Sequence, residues 1–393
     1  MTAEANTLEG TWSFPTTIWF GAGKIATLPD ACRELGIDRP MLVTDPGLAA
    51  LPMIAEAIGR NEAAGLPTIL FQDVRPNPVH ANVEVGIAAF RQHDRDGIIA
   101  VGGGSALDVG KVIALMVGQT MSIWDFVDGR DDWRRANHEA IVPVIAVPTT
   151  AGTGSETGRS GVITDEAAKT KRIIFHPRIM PSIVISDPEL TVGLPPHITA
   201  ATGMDALAHC LEAYCSPVPN PFCDGVALEG MRLIHTNLRR AVEHGDDLAA
   251  RARMLAAASM GSTAFQKGLG AIHALSHPVG ALYDTHHGLT NAVVMPYVLA
   301  FNRPAIEDAL ARVAAYLGLD EPGFDGFMAW ILDLRERIGI PHTLAELGVE
   351  EARLDVLAAM AAADTLADTN PVRIGVAECR RLYEESMSGS WPS

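Results

Sequence analysis

Four histidines and an aspartate are the residues of this chain whose types and spacing point most directly to chemistry. Asp205 and His209 lie four residues apart in GMDALAHCLEAY, and His273, His277 and His287 follow in GLGAIHALSHPVGALYDTHHG. On a helix, a spacing of four stacks two side chains on one face. His273 and His277 repeat that geometry. One carboxylate with several imidazoles suits a borderline divalent ion such as iron or zinc. Taken singly, each histidine also reads as a hydrogen-bonded structural residue on an Ala/Leu-rich helix. Asp205, just after Gly203, reads equally as a first-turn carboxylate that favours the helix dipole. Spacing alone gives two pairs and does not choose between these roles.

Two polar loops suggest something for such an ion to act with. A β-rich run at 97–101 enters Gly102-Gly103-Gly104-Ser105, and a helical pattern begins near Ala106. Glycines between strand and helix let the backbone approach an anion, and the N–H groups of the new helix point at it. Asp108 falls in the first turn, placed to favour the dipole and hold the loop. A second run, Pro148-Thr149-Thr150-Ala151-Gly152-Thr153-Gly154-Ser155-Glu156, follows the strand at 141–147. Ligands of open α/β sheets bind at the carboxyl ends of strands. Asp45 ends the strand at 41–45, where a carboxylate can accept a bond from a ribose hydroxyl and repel a 2′-phosphate. The plainer readings are a glycine-rich turn, a loop capped by Thr153 or Ser155, and a helix N-cap at Asp45. GGGS is not the GxGxxG spacing of a dinucleotide fold.

The elements that must carry these residues differ between the two halves. Strand-like runs at 41–45, 68–71, 97–101, 141–147 and 183–187 alternate with helical patterns near 48–60, 82–95 and 106–117. That alternation predicts a largely parallel sheet covered on both faces. From about 199 onward the pattern is helical, at 199–214, 221–243, 247–265 and 306–317, with no convincing strand. Pro195-Pro196 marks a boundary. A chain of 393 residues is expected to hold two domains, 1–194 and 195–393. The net charge of −17 argues against nucleic acid or an anionic membrane as partner. No apolar run reaches the ~18–20 residues that span a bilayer. The stretch MTAEANTLEG lacks the basic and apolar regions of an export signal, and the five cysteines form no CxxC pair. An odd cysteine count in a large chain without an export signal fits a reducing cytoplasm.

In order along the chain, GGGSALDVGK, PTTAGTGSE, DPELTVGLPP, GMDALAHCLEAY and GLGAIHALSHPVGALYDTHHG resemble the iron-containing, or group III, alcohol dehydrogenases. The resemblance runs from Trp19-Phe20-Gly21 to about Asn302. It implies an α/β plus all-α architecture of the dehydroquinate synthase-like kind. Residues 1–194 would be a Rossmann-like NAD-binding domain and residues 195–393 an all-helical metal and catalytic domain, with the active site in the cleft between them. Position by position, it implies Asp205, His209, His273 and His287 as metal ligands. It implies His277 near the nicotinamide and substrate, which splits the second pair. Asp45 would meet the adenosine ribose; Gly103, Gly104, Ser105 and Asp108 the pyrophosphate; Thr149, Thr150, Thr153 and Lys171 the nicotinamide half. An aspartate at position 45 resembles the members that prefer NAD. Fe2+ is the implied metal, with Zn2+ suited to the same ligands, and a homodimer or larger homo-oligomer is the implied assembly.

The chemistry of the residues agrees with that expectation. A divalent cation acidifies an alcohol, nicotinamide accepts the hydride, and an imidazole such as His277 carries the proton. The expected activity is NAD-linked interconversion of a small alcohol and its aldehyde or ketone. Glycerol dehydrogenase-like and maleylacetate reductase-like reactions share the scaffold, and a non-catalytic nucleotide or metal binder is the reading from another class. His286 stands where the family usually has proline and reads as a neighbour of the ligands. Arg159 and Lys267 depart from the family pattern. They read either as ordinary surface or interdomain charges or as partners for an anionic substrate group.

Overall fold

The structure is a computed structural model and describes residues 10–12 and 16–389. Most of the stretch read for an export signal, residues 1–10, lies outside them. Two compact units emerge: residues 1–150 with 154–192, and residues 151–153 with 193–393.

The first unit is built on strands β1 (Gly10–Trp12), β2 (Thr17–Phe20), β3 (Pro40–Val43), β4 (Ile69–Phe71), β5 (Gly97–Gly102), β6 (Val144–Pro148), β7 (Ser160–Asp165), β8 (Thr170–Phe175) and β9 (Ile183–Ser186). Seven of them form one sheet in the order β1-β2-β9-β6-β5-β3-β4, while β7 and β8 pair separately as an antiparallel hairpin. Apart from the antiparallel β1–β2 edge, every pair in the large sheet is parallel. The central strands read as unbroken apolar runs because both faces are covered. On one face Leu42, Ile99, Val101, Ile145, Val147, Ile183 and Ile185 pack with Leu28 and Ala31 of helix Leu28–Glu34 and Ile54 and Ala57 of helix Pro52–Ala63. On the other, helix Gly104–Met116 approaches so closely that a Cβ on its Gly110 would stand 2.7 Å from that of Ala100.

β4 adds to one side of β3, whereas β5, β6 and β9 add successively to the other. The order therefore reverses between β3 and β5. Carboxyl ends at such a reversal form a crevice suited to a nucleotide.

The second unit is helical, with no strand among the described residues after Ser186. Its long helices are Pro196–Cys215, Pro221–Glu243, Leu248–Ala264, Ala271–Tyr283, His287–Leu317, Gly323–Arg337 and Val376–Ser388, with a shorter one at Leu354–Ala362. Helix Pro196–Cys215 is buried without interruption from Thr199 to Ala213, on all its sides. No described helix is long and apolar enough to cross a membrane.

Candidate nucleotide and metal sites

In the first unit, the ends of β3, β5 and β6 bring most of the predicted nucleotide residues together. Val43 pairs with Ala100, and Gly102 with Pro148, so Asp45, the glycine loop and Thr149 follow at one level. Gly102 has φ +148, and a Cβ there would stand 2.8 Å from that of Ala106. Only glycine accommodates both the angle and the approach. Asp45 Oδ2 lies 3.8 Å from that same position, and Thr150 Oγ1 lies 3.4 Å from the corresponding position on Gly103. The Gly103 carbonyl accepts from Ala106 and Leu107, closing the first turn of helix Gly104–Met116. Thr149 donates its N–H to the Gly102 carbonyl at 3.0 Å.

Individual members play distinct local parts. Asp45 caps helix Pro46–Ala49, its Oδ1 accepting from Gly47 and Leu48 at 2.9 and 3.0 Å. The cap uses one oxygen and leaves Oδ2 on the glycine-loop side. Ser105 donates its hydroxyl to the Pro76 carbonyl at 2.5 Å. Asp108 accepts from Ser155 Oγ at 2.5 Å and from the Val162 N–H at 2.9 Å, and pairs with Lys111 Nζ at 3.3 Å. Lys111 is fully enclosed; burial pulls its pKa down, and it donates to the Ser155 carbonyl at 2.9 Å. Asp108 thus ties the glycine-loop helix to the second polar loop, and its carboxylate is occupied in doing so. Lys171 sits on β8, paired with Thr164 of β7. Thr153 lies in the short piece that groups with the second unit. There a Cβ on Gly152 would stand 2.8 Å from that of Thr202, on helix Pro196–Cys215.

In the second unit, three helices deliver the predicted ligands to one point. Helix Pro196–Cys215 supplies Asp205 and His209, helix Ala271–Tyr283 supplies His273, and His287 opens helix His287–Leu317. Asp205 Oδ1 is 4.0 Å from His209 Nε2, 3.8 Å from His273 Nε2 and 3.6 Å from His287 Nε2. These separations are too long for hydrogen bonds. Donors ~2.1 Å from one tetrahedral ion stand roughly 3.4 Å apart. The atoms of Asp205, His273 and His287 all fall within 4.8 Å of one another, a group that does not include His209, which joins the cluster through Asp205 and by stacking on His273. The donor set therefore fits a divalent iron or zinc ion. Gly288 permits the convergence: a Cβ there would stand 2.3 Å from the Ala201 carbonyl oxygen and 2.8 Å from Asp205 Cβ.

Burial gives the cluster a closed side and an open one. The side chains of Asp205, His209 and His273 are 3, 6 and 2% exposed, whereas His287 is 25% exposed. Burial pushes His209 down to about 4, which keeps its ring neutral. His273 is pulled down by burial, but the charge and hydrogen bond of Glu212, with the charge of Asp205, carry it above its usual value. His277 stacks on His287 with ring centroids 5.4 Å apart and meets Asp364 Oδ2 through Nδ1 at 2.8 Å. Burial pushes Asp364 up, but the hydrogen bond and charge of His277 outweigh it and hold the carboxyl below the usual range. An ionised carboxylate only accepts, so His277 Nδ1 carries a hydrogen toward Asp364, and in the neutral form of the ring the lone pair is on Nε2.

Sequence reasoning missed three residues here. Glu212 backs His273, Asn291 donates to Asp205 Oδ1 at 2.7 Å, and Asp364 backs His277. Glu212 and Asn291 carried a signal, standing seven residues after Asp205 and four after His287 on the same helix faces. Asp364 carried none, being 87 residues from its partner.

One expectation requires correction. Lys267 is buried, and its ammonium pairs with Asp224 Oδ1 at 2.6 Å and donates to the Tyr214 carbonyl at 3.2 Å. Its charge is spent within the unit and does not await a substrate anion. Arg159 is exposed, with its guanidinium 6.0 Å from the Phe175 ring centre. His286 is exposed and caps helix His287–Leu317 through Nδ1, as a neighbour of the ligands.

Comparison with known proteins gives a consistent result over nearly the whole chain. Residues 15–188 match the family model described as iron-containing alcohol dehydrogenase, and residues 199–387 match its C-terminal counterpart. A 4-hydroxybutyrate dehydrogenase from Cupriavidus necator is 40% identical over 95% of this chain and 98% of that protein. An NAD-dependent methanol dehydrogenase from Bacillus methanolicus is 36% identical over 95% of this chain and 98% of its own length. Among solved structures, a 1,3-propanediol oxidoreductase superposes with a TM-score of 0.88 at 36% identity, covering 94% of this chain and 97% of its own.

Proposed function

Because the chain belongs to the iron-containing alcohol dehydrogenase family, we propose that it interconverts a small primary alcohol and its aldehyde at a centre held by Asp205, His209, His273 and His287. The enzyme is an NAD-linked, metal-dependent oxidoreductase. The observation that carries the site assignment is the convergence of three imidazole nitrogens on one oxygen of Asp205.

In oxidation, the alcohol loses its hydroxyl proton and a hydride from carbon; NAD+ becomes NADH and one proton is released. The divalent cation, when bound, polarises the alcohol oxygen and lowers its pKa. His277 Nε2 accepts the hydroxyl proton, and Asp364 steadies the ring that receives it. Residues 1–194 bind the dinucleotide and residues 195–393 hold the metal and the reacting group. Asp45 meets the adenosine ribose and disfavours a 2′-phosphate. Gly103, Gly104 and Ser105 receive the pyrophosphate, with Asp108 bracing their loop. Thr149, Thr150, Thr153 and Lys171 serve the nicotinamide half.

The substrate reading is a short ω-hydroxy compound with an anionic far end. A relative that acts on 4-hydroxybutyrate supports the anionic end, and Arg159 is the remaining cation proposed to meet it. We further read the protein as a cytoplasmic homodimer. The five free thiols agree with a reducing compartment.

The test is a panel of C2–C6 alcohols, diols and hydroxy acids with their carbonyl forms, run with both NAD and NADP. We expect turnover with NAD and at least tenfold lower kcat/KM with NADP. Arg159→Ala should lower kcat/KM for the hydroxy acids and leave neutral alcohols unchanged. Equal effects on both classes remove Arg159 from the substrate reading, and no turnover of any alcohol or aldehyde contradicts the activity.

A further inference from the structure

A buried carboxylate that neither motif nor comparison assigns lies behind the ligand cluster. Glu212 follows Asp205 by seven residues and His209 by three, on the same face of helix Pro196–Cys215. It is only 7% exposed, and both its oxygens are engaged. Oε1 accepts the Ile272 N–H at 2.7 Å, and Oε2 meets His273 Nδ1 at 2.5 Å. The first contact anchors the carboxylate to the opening turn of helix Ala271–Tyr283. The second decides which nitrogen of His273 carries hydrogen. A carboxylate accepts, so Nδ1 carries a hydrogen, and in the neutral ring that binds a metal the Nε2 lone pair is left on the side of Asp205 Oδ1, 3.8 Å away.

Charge gives the same residue a second task. A divalent cation with Asp205 and three neutral imidazoles leaves one net positive charge in a helical interior. Burying an uncompensated charge is costly. Glu212, one hydrogen bond beyond a ligand, supplies the missing negative charge and makes the imidazole a stronger donor.

We propose that Glu212 is a positioning residue that fixes His273 as a metal ligand and balances the charge of the bound divalent cation. The proposal rests on His273 being a ligand. The pairing of His277 with Asp364 is the internal contrast: its geometry is similar, but its histidine is assigned to the proton.

The test strips metal from the full-length wild type, Glu212→Gln and His273→Ala, then titrates each with Zn2+ and records the thermal midpoint of the metal-free form. Glu212→Gln should bind zinc about 10–100-fold more weakly, with a metal-free midpoint close to wild type. An unchanged zinc affinity in Glu212→Gln, beside a His273→Ala that loses zinc, overturns the role of Glu212 and leaves His273 a ligand. Wild-type zinc affinity in His273→Ala overturns the ligand assignment itself. Should Glu212→Gln not fold, zinc-loaded wild type labelled with 15N-histidine decides. A low-field exchangeable proton on Nδ1, absent from His273→Ala, supports the bond to Glu212; no such proton in wild type contradicts it.

Discussion

His273 and His277 sit one helical turn apart, yet they meet different partners. His273 points Nε2 at Asp205 and leans on Glu212, whereas His277 stacks on His287 and leans on Asp364. Their roles should separate on mutation. His273→Ala should lose its metal on dialysis. His277→Ala should retain stoichiometric metal while kcat falls by about 10²–10⁴, the usual cost of removing a general acid–base group. Metal analysis beside steady-state rates reads both; loss of metal in His277→Ala contradicts the division. The proposed ligand residues stood out in the sequence because carboxylate and imidazole are rare on Ala-rich helices and fell within recognisable motifs. The partners behind them were less so. A glutamate in a helix ordinarily reads as solvated, so the seven-residue spacing of Glu212 from Asp205 is a faint signal beside its burial. Asp364 meets His277 across 87 residues, a contact that no local pattern encodes.

At the scale of elements, strands were easier to read than helix ends. Parallel strands covered on both faces are short apolar runs, and β3, β5, β6 and β9 stand where those runs do. The separate β7–β8 hairpin escaped notice because it falls outside the alternating pattern. Helix His287–Leu317 was read only from residue 306, since Pro296 and Pro304 look like stops. Burial of its first half against neighbouring helices overrides that signal. The hairpin brings His176 beside the loop that carries His138. His176 accepts the Arg178 N–H on Nδ1 at 3.0 Å, and its Nε2 lies 3.0 Å from His138 Nδ1. The neutral ring satisfies both contacts, and protonation removes the acceptor at Nδ1. Burial, then the charges of His138 and Arg178, push His176 from 6.5 down to about 4. The unfolded chain therefore binds the extra proton between about pH 6.5 and 4. The stabilisation is fully present above 6.5 and declines as pH falls through that window, by roughly 2–3 kcal/mol. Urea unfolding at pH 7 and pH 5 should show a smaller difference for His176→Gln than for wild type. Equal differences contradict the assignment.

At the scale of the whole molecule, the change from alternating strands to continuous helices was visible in the sequence, and the compact units divide at Val192 and Gly193. The grouping of residues 151–153 with the helical unit was not visible, because it depends on Gly152 packing against Thr202. In the proposed mechanism the first unit serves the nucleotide and the second the metal. The most direct test removes the metal from the active holoenzyme with a chelator, verifies its absence by elemental analysis, and follows NADH oxidation with an aldehyde substrate. Turnover should vanish and return on adding Fe2+ or Zn2+. Full turnover in protein verified to be metal-free would contradict the metal-centred mechanism.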